Sequence, residues 1–433
     1  MIDNRKLAEE LLDFIHACPS EFHVVEQSEK MLSAKGFKKL DSKKKWEIVK
    51  GGKYYTTTND SAFTAFIVGT GDLESDGFKI VEAHTDSPSI KIKPCPEMVV
   101  DNHYLKLNAE VYGSPILNTW LDRPLSLAGR VSLRSDDLFN PSNKLVNFNR
   151  PLLTIPNLSI HHNKSVNSGI ELNKQKDMLP LLGIIDDTFE KKNYLIKMLA
   201  KELNIDSHEI LDFELSMSEF ERGCLFGADR EFISTTKLDN LLTVFTGLKA
   251  LLEQNAGRVT SVLTCFDNEE VGNRTRQGAD SPMLMHTLER VAIGLGKSRE
   301  DFLRSISASF MISSDLSHAY HPNAPEKSDP VVHVQINKGP VVKVSGTQKF
   351  TTDSNTSAVF KMLCDSANVP CQYYINKSDS PGGSSAGPAS VSHIGIRSVD
   401  IGVPIFAMHS IREMGGVQDN FFMYMAFSQF FSE

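Results

Sequence analysis

No apolar run in the 433-residue sequence approaches the roughly 20 residues needed to cross a bilayer. Positive charge is in deficit. Forty-six Lys and Arg against 54 Asp and Glu leave a net charge of −8, which argues against nucleic acid or an anionic membrane as the main partner. Cysteine is sparse and scattered: Cys18, Cys95, Cys224, Cys265, Cys364 and Cys371 include no C-x-x-C pair. A structural zinc knuckle is therefore not expected, and the thiols read as reduced residues of a cytoplasmic protein. The opening "MIDNRKLAEELLDFIHACPS" reads as an amphipathic helix, lacking the apolar centre and cleavage site of a signal peptide. Internal repeats and low-complexity tails are also missing. What remains is ordinary for a soluble enzyme or binding protein: 40% hydrophobic and 23% charged residues. The length favours two domains, or one domain carrying a large insertion.

The first ~90 residues alternate helix and strand signals, the order of a layered α/β domain. "NRKLAEELLDFIHA" and "VVEQSEKMLSAKGF" have helical apolar spacing, the second closing on Gly36; "SAFTAFIVG" and "FKIVEAHTD" read as strands. From about Pro94 short alternating segments and turn residues predict β structure. The stretch "PSNKLVNFNRPLLTIPNLSIHHNKSVNSG" reads as polar loop, and one helix is expected over Thr188–Leu203. After "FISTTKLDN" the α/β rhythm resumes and continues to a terminal helix, "NFFMYMAFSQFF". The organisation expected is a catalytic α/β domain over 1–93 and 231–433, interrupted by a β-rich insertion over 94–230.

Four strands of that domain end in residues able to bind a metal. "IVEAHTDSP" delivers His84 and Asp86, "CFDNEEVG" Glu269 and Glu270, "FMISSDLSHA" Asp315 with His318 shortly after, and "VPIFAMHSIRE" His409. Asp239 in "KLDN" immediately precedes a helix, where the dipole favours a carboxylate. Each has an ordinary explanation: Asp239 as a helix cap, His409 as a polar strand end, His84-Thr85-Asp86 as a capped turn. Their co-occurrence favours a different one. Ligands of open α/β sheets collect beyond the carboxyl ends of strands, and carboxylates with imidazoles suit zinc in a hydrolytic site. The adjacent acids Glu269 and Glu270 then divide their work. One ligates a cation, and the other accepts a proton from the water that the cation activates. Five ligands are too many for one catalytic zinc, which typically keeps about three protein ligands. A bridging carboxylate would give each of two ions three.

"EAHTDSP", "LDN", "DNEEVG", "SSDLSHAYHPN" and "FAMHSIREMGG" resemble, in order and spacing, the M18 metallopeptidases, the aspartyl aminopeptidase family; "IPNLSIHHNKSVNSG" and "GGSSAGP" extend the likeness over most of the chain. The resemblance implies two zinc ions per subunit. His84 and Asp315 would hold one, Glu270 and His409 the other, and Asp239 would bridge. It implies Glu269 as general base, Asp86 as the carboxylate orienting His84, and His161 as a residue reaching a neighbouring subunit's site to steady the oxyanion. His162 beside it has the same chemistry. Lys343 in "GPVVKVSG" matches a lysine near the pocket for the substrate's first side chain, although a solvated strand lysine is the default reading. His318 joins it as a substrate-contacting candidate. The implied architecture is a zinc-peptidase-like α/β/α domain interrupted by a β-rich dimerisation domain, with dimers assembled into tetrahedral dodecamers acting on peptides. The preferred first residue, acidic or neutral, stays open.

Two readings from other classes compete. "GSSAG" at 383–387 fits G-x-S-x-G, with Ser385 as nucleophile and Asp400 and His409 following in the order of α/β-hydrolases. The preceding "NKSDSPGG" is turn-rich rather than a strand, the wrong context for a nucleophile elbow. A non-catalytic assembly protein would be marked by a missing base or ligand, and none is missing. Within metal hydrolases, a carboxypeptidase or deacylase is the nearest alternative.

Overall fold

The computed structural model describes residues 3–186, 193–380 and 382–433. A nine-stranded sheet forms the centre, in the order Lys38–Lys39, Lys53–Thr58, Ala62–Ile67, Thr260–Phe266, Phe78–His84, Phe310–Ser314, Arg397–Gly402, Val341–Val344 and Gln372–Ile375. The four strands from Thr260–Phe266 to Arg397–Gly402 run parallel, and Ala62–Ile67 and Val341–Val344 flank them antiparallel.

Period-2 alternation sends neighbouring residues of these strands to opposite cores. Val81, Ala83, Leu263, Cys265 and Ile312 pack with the helices Asn4–Ala17, Leu238–Leu252 and Val417–Ser432. Ile80, Val262, Phe266 and Met311 pack on the other face with Met283–Gly294 and Arg299–Ala308. The central strands are buried on both sides, which is why they read as continuous apolar runs. The protein is an α/β sandwich.

A second sheet of six antiparallel strands, from Ser89–Val100 to Ile210–Glu219, has its own apolar core with Trp120, Leu127, Leu195 and Leu199. A third, small sheet pairs Phe232–Thr235 with Glu413–Gly416, fastening the return from this region to the chain's last segment.

The differences from sequence expectation are local. Within the stretch read as polar loop, Ser142–Asn147 is a strand. It is an edge strand paired, among the described residues, with Leu125–Leu133 alone, so half of its side chains are exposed and no apolar period marks it. The helix expected over Thr188–Leu203 is observed over Tyr194–Leu203, and 187–192 lie outside the described residues. Helix Arg299–Ala308 was not expected, although Ser298 and Asp301 form a reciprocal capping box at its start.

Phe266 is fully buried and its carbonyl accepts a hydrogen bond from Thr85 N at 2.7 Å. Phe266→Ala should cost about 3–5 kcal/mol, read as a lowered urea midpoint.

Candidate metal centre

The neighbouring strands Thr260–Phe266, Phe78–His84 and Phe310–Ser314 end at one edge of the sheet. His84 is the last residue of its strand, Asp315 directly follows another, and Glu269 and Glu270 open the short turn Glu269–Val271. Asp239 enters from the start of Leu238–Leu252. Its φ of −80° and ψ of 107° are extended, as in a cap residue, but its Oδ1 meets no hydrogen-bond donor and its Oδ2 faces His409 Nε2, so the cap explanation fails. His409 lies beyond Pro404–Ile405 with φ +68°.

These residues converge. His84 Nε2 stands 3.4 Å from Asp239 Oδ1 and 3.6 Å from Asp315 Oδ1. His409 Nε2 stands 3.7 Å from Asp239 Oδ2 and 3.4 Å from Glu270 Oε2. Three donor sets result: His84–Asp239–Asp315 and Asp239–Glu270–His409, which share Asp239, and His84–Glu269–Glu270.

The donors suit zinc on three counts. Two ligands each ~2.1 Å from a tetrahedral ion lie about 3.4 Å apart, close to the spacing observed. His84 Nδ1 faces the Asp86 carbonyl at 3.0 Å and His409 Nδ1 faces the Ser114 carbonyl at 3.1 Å. A carbonyl only accepts, so Nδ1 carries a proton in each ring, and loss of the second proton to an incoming cation would free an Nε2 lone pair facing the crevice. Finally, Asp239 Oδ1 is buried without a hydrogen-bond donor.

Asp86 organises the acid pair. Its Oδ1 accepts from Glu269 N at 3.1 Å, and Oδ2 accepts from Glu270 N at 3.2 Å and from Tyr112 Oη at 2.7 Å. Anchored by their backbones, the two glutamates each bring an oxygen within 4.8 Å of the other's and of His84. Glu270 also reaches His409.

Without a metal this cluster shares protons. Burial lowers the His409 pKa, but the neighbouring Asp239 and Glu270 carboxylates overcome it and carry the imidazole to about 10. His84 is likewise held well above its usual value, with Asp239, Asp315 and Asp86 outweighing burial. Burial, with neighbouring carboxylates adding to it against His84, pushes Glu269 up to about 8.

The remaining candidates separate. Lys343 is not a solvated lysine: it is 3% exposed, with Nζ 3.4 Å from Asp315 Oδ2. His318 lines a cavity of about 360 Å³ with His321, Lys327, Tyr374, Lys377 and Ala407. Although its side chain still meets solvent, desolvation by the cavity wall and the nearby Lys343 ammonium lower its pKa. His161 and His162 are exposed on a loop of the second sheet's region, and no hydrogen bond or ion pair joins His161 to the cluster among the described residues. The serine triad is overturned, since buried Ser385 donates to Asp400 whereas His409 faces Asp239 and Glu270. Thr351 also donates to Asp400, at 2.8 Å, so the pair is a structural anchor. Sequence reasoning missed Tyr112, Ser114 and Glu413. The turn "YGSP" is the one signal that pointed to the first two, and a Cβ on Gly113 would lie 3.2 Å from Glu270 Cβ.

Carboxylate and imidazole donors at the carboxyl ends of a parallel sheet define an α/β metallohydrolase. The family described as "Aminopeptidase I zinc metalloprotease (M18)" matches residues 14–431. The probable M18 family aminopeptidase 2 of Clostridium novyi (strain NT) is 53% identical over 99% of each chain. Among solved structures, one titled "Cryo-EM structure of the Ape4 and Nbr1 complex" matches with a TM-score of 0.95 at 35% identity, over 99% of this chain and 86% of that one. The mApe1 dodecamer of S. cerevisiae matches with a TM-score of 0.86 at 26% identity, over 98% and 96%. The chain belongs to the M18 family, whose members are zinc metalloaminopeptidases.

The proton-sharing network sets a pH dependence. A raised folded-state pKa gives stability that is present below the unfolded value and lost as pH rises through the folded one. For Glu269 that window runs from 4.5 to about 8, and for His409 from 6.5 to about 10. Metal-stripped protein should therefore lose thermal stability steadily from pH 5 to pH 9. Zinc-loaded protein should not follow this slope, a contrast that differential scanning calorimetry reads directly.

Proposed function

We propose that this chain is a dinuclear zinc aminopeptidase that removes N-terminal residues from peptides, acidic ones preferentially. The observation carrying this reading is the pair of donor sets sharing Asp239. His84 and Asp315 would hold one ion, Glu270 and His409 the other, and Asp239 would bridge them. Zinc would supply a Lewis acid that brings the pKa of water towards neutrality and polarises the scissile carbonyl.

The chain's own residues do the rest. Glu269, beside His84 and with its backbone fixed on Asp86, takes a proton from the attacking water and passes it to the leaving amine. Asp86 and the Ser114 carbonyl hold the two imidazoles in the tautomer that ligation needs. The cavity beside His318 receives the first side chain. Its Lys327 and Lys377, with Lys343 buried nearby, favour a carboxylate there.

We assign 1–93 and 231–433 to the catalytic domain and 94–230 to a dimerisation domain, whose exposed His161 would reach a partner's site and steady the oxyanion. A homo-oligomer, dimers assembled into a tetrahedral dodecamer, accords with the dodecameric mApe1. Six free cysteines support a cytoplasmic setting, and no helix among the described residues is long and apolar enough to cross a membrane.

Glu269→Gln should lower kcat about 10²- to 10⁴-fold with two zinc ions still bound, checked by metal analysis; near-normal turnover would remove Glu269 as base. Across a panel of aminoacyl-anilides, aspartyl and glutamyl substrates should lead in kcat/KM. Lys343→Ala should cut their advantage over leucyl substrate by about 10- to 100-fold, the range of a charged hydrogen bond. An unchanged ratio would exclude Lys343 from substrate choice.

A further inference from the structure

Glu413 is 2% exposed and belongs to none of the three donor sets. Both of its oxygens are committed to main-chain donors. Oε2 accepts from Asp239 N at 2.9 Å, and Oε1 accepts from His409 N at 2.7 Å. Those two residues face each other across one donor set, with His409 Nε2 3.7 Å from Asp239 Oδ2.

They come from separate elements, and neither backbone is regular there. Asp239 interrupts the first turn of its helix, and His409 sits at φ +68° in a loop. The aim of each side chain is therefore not set by its own element alone. Glu413 is itself well held: its residue pairs with Thr235 in the small sheet, and the next residue, Met414, exchanges two backbone hydrogen bonds with Phe406. A carboxylate that only closed its own loop would need the bond to His409 alone. Its second oxygen reaches across to Asp239.

We propose that Glu413 is a positioning residue, one carboxylate that fixes Asp239 and His409 relative to each other for the ion held by Asp239, Glu270 and His409. This rests on the two-zinc reading above. Glu413 ligates nothing. It presents a rigid acceptor pair to two amides, which sets the separation of the two donors, and its negative charge lies behind them. Partners of metal ligands of this kind typically govern metal affinity by 10- to 100-fold.

The test is zinc titration of metal-stripped protein against a chromophoric chelator, for wild type and Glu413→Gln. Glutamine keeps the size, but one of its two terminal atoms is an NH₂ that cannot accept. One of the two amides is then left unpaired. Wild type should bind two ions. The variant should bind the ion that uses both Asp239 and His409 about 10- to 100-fold more weakly, and the other, which shares only Asp239 with it, with a distinctly smaller loss. Its one-equivalent cobalt(II) spectrum should match that of the wild type. A residue needed only for folding would weaken both ions together and lower the melting temperature of the stripped protein. Equal loss of both ions, or two ions bound as tightly as in wild type, overturns the proposal. Should Glu413→Gln not fold, Glu413→Asp retains the charge but is too short to span both amides. It should weaken the same ion most, and unchanged affinities would overturn the proposal equally. If wild type itself takes up fewer than two ions, the two-zinc reading falls and this proposal with it.

Discussion

Six carboxylates, Asp86, Asp239, Glu269, Glu270, Asp315 and Glu413, share one crevice with two imidazoles and one ammonium. Buried like charges repel strongly where the dielectric is low, and the rest of the site is arranged around that repulsion. Part of it is met by backbone. Asp86 accepts from two amides and a phenol, Glu413 from two amides, and Asp315 from Leu316 N at 2.7 Å. The donors that remain, with Asp239 at their centre, are the ones a divalent cation suits.

The sheet explains how such a cluster is tolerated. Parallel pairing puts the ends of three neighbouring strands side by side, so residues distant in sequence meet without long reaching side chains. The cores on both faces hold those strand ends in place at no cost to the crevice itself. The acids thus lie on short turns that leave rigid strands, where their direction is set by backbone rather than by flexible side chains.

The six-stranded region is not a bystander. It sends Tyr112 to Asp86 and the Ser114 carbonyl to His409, so both imidazoles are oriented through contacts in which that region takes part or lies close by. Lys91 of the same region pairs with buried Glu21 of the helix Glu21–Ala34, a further tie between the two parts of the chain.

Much of this could be read beforehand. The donors stood at the ends of strands with clear apolar periodicity, and chemically unusual pairs such as Glu269-Glu270 asked for a cation. The central strands were equally legible, because burial on both faces leaves long apolar runs, whereas helix Arg299–Ala308, buried only at Phe302, Ser305 and Ile306, was not. Nor was Ser142–Asn147, since an edge strand with exposed side chains has no apolar signature. The burial of Lys343 was not either: lysine is usually exposed, and only Asp315 beside it makes the exception possible. Ser385 carried a motif that its folded neighbour, Asp400, turned to another purpose.

The sequence by itself determined the layered α/β class, the donor types and their order, because periodicity and residue chemistry are local properties. Only the tertiary structure decided that Asp239 faces both imidazoles, that Asp86 anchors Glu269 and Glu270, and that Glu413 joins Asp239 to His409. Each of these is a distance of a few ångströms between residues far apart in the chain, and such distances are set by packing and strand register, which no single segment contains.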